Sequence, residues 1–136
     1  MSEYVKKKTT YTSRVHLRTA LQAAGIQFEE AQPGQTLTLN GYGNQRRQAT
    51  FAVRQRALGD NIFGDLGWLW DGQAKCFVQI ADHLDERYSQ TVRALRAIKR
   101  EYAYTATVSQ ARTKGYHTQR VDQPDGSIQI RITGRI

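Results

Sequence analysis

The sequence predicts an α+β fold: an antiparallel β-sheet with two packed helices, one short and N-terminal, one long and near the C-terminus. Three observations carry this expectation. A long helical apolar period occurs only over residues 85–113, with a shorter one between Ser13 and Gly25. Most other apolar residues alternate with polar ones in short runs, and turn signals such as Asp71-Gly72 and Asp125-Gly126 join those runs. The order is strand, helix, several antiparallel strands, long helix, final hairpin, which differs from the alternation of a parallel nucleotide-binding fold.

Val5, Lys7, Thr9 and Tyr11 alternate with polar neighbours and read as an opening strand with a basic rim at Lys6 and Lys8. Ser13 offers a hydroxyl to cap a helix whose apolar positions Leu17, Ala20, Leu21 and Ala24 recur at helical spacing, and Gly25 closes it. Ile26 and Phe28 begin a second strand, and Pro33-Gly34 turns the chain. Leu37 and Leu39 alternate into a hairpin-like loop, Gly41-Tyr42-Gly43-Asn44. The return run carries Phe51 and Val53, with Arg54 and Arg56 nearby. Trp68 and Trp70 share one face of a strand ending at the tight-turn signal Asp71-Gly72, with Phe77, Val78 and Ile80 as its returning partner. Over 85–113, Tyr88, Val92, Leu95, Ile98, Tyr102 and Ala106 cover one broad helical face, and Gly115 ends the helix. Ile128, Ile130 and Ile132 alternate in the last strand.

A chain of 136 residues suits one domain, 1–136, and its 39% hydrophobic and 24% charged residues argue against wholesale disorder. Residues 1–12 hold three lysines and no apolar run, which is unlike a secretory signal. No apolar stretch approaches the roughly 20 residues needed to span a bilayer. The single cysteine, Cys76, cannot form an intramolecular disulfide. The expected location is a reducing compartment, the cytoplasm or a plastid stroma. The net charge is +8, distributed as +4 over 1–20, +4 over 46–56, +7 over 87–120 and −5 over 60–86. Basic surfaces and one acidic segment suit partners as well as solubility.

Several stretches together carry a family likeness: Met1-Ser2-Glu3-Tyr4, Asn40-Gly41-Tyr42, Asp65-Leu66-Gly67-Trp68, Asp71-Gly72, Ala81-Asp82, Ile98-Lys99-Arg100-Glu101-Tyr102-Ala103-Tyr104, Gly115-Tyr116 and Asp125-Gly126-Ser127-Ile128. Nearly end to end, the chain resembles the hypothetical chloroplast reading frame 35 family of cyanobacteria, algal plastids and other bacteria, also catalogued as domain of unknown function 1257. It departs from the family pattern with His83-Leu84, where an aromatic pair is usual, and with Glu3, where histidine is common. The resemblance implies kinship and no particular reaction.

No cofactor or metal is expected, and no small-molecule substrate is inferred. His16, His83 and His117 fall on three different elements without metal-ligand spacing, and Cys76 lies in an apolar strand run where a buried thiol is inert. Asp82, His83, Asp85 and Glu86 form the best acidic constellation. An acid/base pair is one reading, and a helix start stabilised by carboxylates is the preferred one. Gly41-Tyr42-Gly43 is too short for a phosphate-cradling loop. Trp68, Trp70 and Phe63 read either as a base-stacking platform or, preferably, as core.

The candidate binding residues are Arg93, Arg96, Arg100 and Tyr104, a stripe opposite the apolar face of the long helix. Lys6, Lys8, Arg46 and Arg47 extend that surface if the fold brings them near. Guanidinium forks suit phosphates, and an aromatic beside them suits an unpaired base. The alternative is a solvated face of a basic protein. The leading expectation is a non-catalytic basic module contacting RNA or other single-stranded nucleic acid through this helix. Its rival is a protein-interaction adaptor docking through the charged helix and the acidic 60–86 segment, for example in an ATPase or a membrane-associated complex. An enzyme built on the His83 cluster is the third class.

Overall fold

The computed structural model describes residues 2–135, so the opening Met1 lies outside the described residues. Five strands form the main sheet in the spatial order β1 (Tyr4–Lys8), β7 (Cys76–Asp82), β6 (Leu66–Asp71), β5 (Phe51–Val53) and β2 (Glu29–Glu30), every pair antiparallel. Two hairpins stand outside it, β3 (Leu37–Asn40) with β4 (Arg46–Ala49) and β8 (Tyr116–Asp122) with β9 (Ile128–Arg135). The helices are α1 (Arg14–Ala23), the single turn α2 (Gln55–Leu58) and the long α3 (Ser89–Thr113). This is the expected α+β architecture.

Strand alternation gives the sheet two faces. Phe51, Val53, Leu66, Trp68, Phe77 and Ala81 point inward, where they pack against Leu17, Ala20 and Leu21 of α1 and Ile98 and Tyr102 of α3. Each large side chain buried here contributes about 1.5–3 kcal/mol. The second face carries Tyr4, Ala52 and Ile80, which meet Leu39 and Ala49 of the β3–β4 hairpin. Gly67 makes that second layer possible. A Cβ at this position would lie 2.7 Å from Leu39 Cδ1 and 2.8 Å from the Phe51 carbonyl oxygen, so only glycine lets the hairpin lie down. Gly41 has the same role against the Tyr4 ring, at 2.5 Å.

Asp65 locks the hairpin to the sheet. Its carboxylate accepts from the backbone N–H groups of Asn40 (2.9 Å) and Gln55 (3.0 Å) and from Arg54 Nη1 (2.9 Å), while its carbonyl accepts from the Tyr4 hydroxyl. Tyr102 performs a comparable task at the helices. Its hydroxyl accepts from the Thr12 and Ser13 N–H groups at 2.9 and 3.0 Å, and Ser13 Oγ in turn caps α1 by accepting from His16 N. The Tyr11 ring lies 4.5 Å from that of Tyr102, and burial pushes the Tyr11 hydroxyl up to about 12.

Five local expectations change. The opening strand ends at Lys8, so Thr9 and Tyr11 lie beyond it, and Tyr11 turns into the inner core. The run from Arg46 to Val53 divides at Thr50, whose N–H donates to the Trp68 carbonyl while its own carbonyl accepts from Ala31 N; β4 joins the outer hairpin and β5 the main sheet. Ile26 and Phe28 pack on the inner core outside any strand, and the strand begins at Glu29. The β6–β7 connection is longer than a two-residue turn: Asp71 accepts from the N–H groups of Gln73 and Ala74, and Lys75 takes the left-handed φ of 58°. The helical segment from 85 is broken at Tyr88, where ψ of 139° separates a 3-10 turn at Asp85–Arg87 from α3.

Candidate nucleic-acid interface

The 25 residues of α3 contain neither glycine nor proline, and the helix stops where Gly115 adopts a φ of +82°. At about 1.5 Å per residue it is a rod of roughly 37 Å. Thr91, Ile98 and Tyr102 are buried along one side, with Ala94, Leu95 and Ala106 packed beside them. Arg93, Arg96 and Arg100, spaced three and four apart, therefore fall on the opposite side, and all three are exposed. None of them forms an ion pair among the described residues. The Arg100 guanidinium reaches the β8–β9 turn beside Gly126, 3.7 Å from where a Cβ would stand.

Tyr104 has a different environment. It is half-buried, and Arg120 of β8 stacks on its ring with the guanidinium carbon 4.7 Å from the centroid. Arg120 also forks onto Glu101 at 2.7 and 2.8 Å and bonds Asp122. These contacts hold its guanidinium above its ordinary pKa, with the hydrogen bond to Glu101 the foremost cause. One face of Tyr104 is thus occupied by the C-terminal hairpin. Sequence reasoning did not identify the Glu101–Arg120 clamp.

The remaining basic candidates form a separate group. Lys6 and Lys8 alternate with Tyr4 on β1 and so belong to the sheet face away from α1 and α3. Arg47 joins them, its guanidinium carbon 5.7 Å above the Tyr4 ring. Arg46 follows the opposite face of its hairpin, and both Arg46 and Arg47 donate to neighbouring backbone carbonyls. The sheet stands between this group and the α3 stripe, so the fold does not merge them.

Of the six carboxylates in 60–86, Asp60 and Asp71 stay at the surface. Asp65, Asp82 and Asp85 are buried, and Glu86 pairs with Lys7 at 2.6 Å. Asp82 accepts from Leu84 N, while Asp85 accepts from Phe63 N and Gly64 N. Burial raises the Asp85 carboxyl above its ordinary value, opposed by those two backbone bonds and reinforced by the charge of Asp82. His83 Nδ1 lies 3.3 Å from Glu3 N. The constellation ties loops together, and the charges of Asp82 and Asp85 both act on the buried Tyr4 hydroxyl. Among the described residues no three His, Cys, Asp or Glu side chains assemble as a metal-binding group, and no helix is long and apolar enough to cross a membrane.

The aromatic trio is divided as well. Trp68 is fully buried, Trp70 is 41% exposed beside Phe77, and Phe63 packs edge-on against Tyr42. Cys76 is a buried free thiol.

Neither the comparison with curated proteins nor that with solved structures returns a match. The family model described as "Protein of unknown function (DUF1257)" matches residues 20–131, which include β2 to β8, α2, α3 and the last turn of α1. The turn at Gly41, the Asp65–Trp68 strand and the Glu101-Tyr102-Ala103-Tyr104 segment lie within this span and each has a structural task, and the chain belongs to this DUF1257 family of proteins of unknown function.

Proposed function

We propose that the protein is a non-catalytic module that binds single-stranded nucleic acid, RNA foremost, through the outer face of α3. One observation carries this reading. Arg14, Arg18, Arg54 and Arg120 are all engaged with carboxylates of the fold, whereas Arg93, Arg96 and Arg100 project from a rigid helix with no carboxylate partner among the described residues. An uncompensated row of guanidinium groups is complementary to phosphates, which accept from the planar fork in pairs. Tyr104 contributes less than its place in the row suggests, because Arg120 covers one face of its ring.

The rival reading, an adaptor within a larger assembly, has less support because three of the six carboxylates of 60–86 are buried and a fourth, Glu86, pairs with Lys7. The likeness of Gly115-Tyr116 and of Asp125-Gly126-Ser127-Ile128 to the chloroplast reading frame 35 proteins supports placing the chain among them, in the cytoplasm of a bacterium or the stroma of a plastid. The test is fluorescence anisotropy with a labelled single-stranded RNA 12-mer. The triple variant R93A/R96A/R100A should bind at least about tenfold more weakly, since each charge-assisted bond contributes about 1.5–3 kcal/mol. Equal binding by the variant and the wild type would replace this reading with the adaptor.

A further inference from the structure

The two edge strands of the main sheet are finished differently. The short β2 is tied down by arginines, Glu29 by Arg54 and Glu30 by Arg14 and Arg18. At the other end β1 pairs with β7 on one side only, and no strand lies beyond it among the described residues. Bonds flanking β1 fix its phase: the Glu3 carbonyl accepts from His83 N, and Thr9 N donates to the Phe77 carbonyl. Val5 and Lys7 therefore bond β7, while Tyr4, Lys6 and Lys8 turn their N–H and C=O groups toward the edge. The side-chain amide of Gln45 already occupies the start of that edge. Its Oε1 accepts from Tyr4 N and its Nε2 donates to the Ser2 carbonyl, both at 2.9 Å, supplying the acceptor and donor that an added strand would bring. The Tyr4 and Lys6 carbonyls and the Lys6 and Lys8 N–H groups follow, with no hydrogen-bond partner among the described residues.

The charges beside this open row have one sign. Lys7, on the inner face, pairs with Glu86. Lys6 and Lys8, on the outer face with Tyr4, are exposed and form no ion pair among the described residues. Arg47, over the Tyr4 ring, extends the same positive surface. The outer-face cleft next to the lysines, about 490 Å³, has Leu69, Val78 and Ile80 as its floor and Asp71 as the one carboxylate lining it. Asp71 is held below its ordinary value first by the Ala74 and Gln73 N–H groups and only then by the charges of Lys8 and Lys6. Lysines at an edge discourage self-pairing, since two copies of β1 would set ammonium against ammonium. The same arrangement favours a strand that carries carboxylates opposite them.

We propose that the β1 edge is a docking site for an extended acidic segment of another protein, which adds as a further strand with carboxylates at alternate positions opposite Lys6 and Lys8. Main-chain bonds to the Tyr4–Lys8 edge supply the affinity, and the two lysines select the acidic sequence. A peptide fits this edge better than a nucleic-acid strand does, because each of its residues brings both a donor and an acceptor, whereas phosphates only accept. The site shares no residue with the α3 stripe and is independent of the nucleic-acid reading.

The test uses the full chain and a labelled peptide of alternating glutamate and valine, followed by anisotropy and by NMR amide exchange. Its controls are the glutamine counterpart and the glutamate peptide N-methylated throughout, which keeps the charge and removes the donors. The glutamate peptide should bind and slow exchange of the Lys6 and Lys8 N–H groups, leaving Val5 and Lys7 as they were. Both control peptides should bind at least about tenfold more weakly, as should the glutamate peptide to K6A/K8A. R93A/R96A/R100A should bind the glutamate peptide as wild type does. Absence of binding would overturn the proposal. Binding that survives N-methylation and leaves the Lys6 and Lys8 amides unprotected would be charge attraction alone and would equally overturn it. A uridine 8-mer that protects those two amides in place of the peptide would assign the edge to nucleic acid, against the proposal.

Discussion

Arg54 and Arg96 are equally basic in the sequence and have opposite circumstances in the fold. The Arg54 side chain is 21% exposed and bridges Glu29 and Asp65, which ties β2, β5 and the start of β6 into one block. These bonds, first of all the one to Glu29, hold its guanidinium above its ordinary pKa. Arg96 is exposed on α3 and forms no ion pair among the described residues. The difference follows from the elements beneath them. A short edge strand such as β2 has few ladder bonds and needs side-chain anchors, whereas a long helix with one side in the core holds its outer residues in place without them. Composition counts both arginines alike, yet only those without a partner in the fold have charge to offer a ligand.

Removing the clamps should damage the protein most. Arg120→Ala leaves the Glu101 carboxylate, 9% exposed, without its partner and detaches β8 from α3. Urea denaturation should show a loss of about 3 kcal/mol, and a loss under about 0.5 kcal/mol would erase the distinction between clamping and free arginines. Arg54→Ala should cost less, about 2 kcal/mol, because Asp65 keeps its bonds from Asn40 N and Gln55 N. The same melts measure it.

Glu30 sharpens the comparison through pH. Hydrogen bonds from Arg18 foremost, and from Arg14, pull its carboxyl from 4.5 down to about 2 against the opposing effect of burial. A depressed folded pKa means that the stabilisation is present above pH 4.5 and is lost as pH falls toward 2. With the side chain 20% exposed, screening leaves about 1–2 kcal/mol. Glu30→Gln should lower stability at neutral pH by that amount and flatten its fall between those limits, as followed by thermal melts across a pH series. The smallest effects belong to the stripe: Arg93→Ala, Arg96→Ala and Arg100→Ala should each change stability by no more than about 0.5 kcal/mol.

Much of the fold is legible in the sequence because local rules and tertiary packing agree. Alternation identifies β6 and β7, Ser13 and Gly25 bracket α1, and the wheel over 89–113 separates Ile98 and Tyr102 from the arginines. What escapes local pattern is set by the second layer. The β3–β4 hairpin needs a partner face that no periodicity announces, though a glycine between Leu66 and Trp68 in a strand already signals close approach there. Glu101 reads as a solvated helix residue because nothing local links it to Arg120, nineteen positions away. The sequence leaves open whether Lys6, Lys8, Arg46 and Arg47 extend the α3 stripe, and only the sheet order reveals that Lys6, Lys8 and Arg47 gather on a face turned away from α3.

The central claim is that Arg93, Arg96 and Arg100 of α3 neutralise phosphates. The most direct measurement is the affinity of wild type and R93A/R96A/R100A for a single-stranded oligonucleotide across a salt series, read as the slope of log K against log salt. Each phosphate contact on a single strand contributes about −0.7, so the wild-type slope should exceed that of the variant in magnitude by about 2. Parallel lines of equal affinity would show that the stripe is a solvated face and would contradict the account.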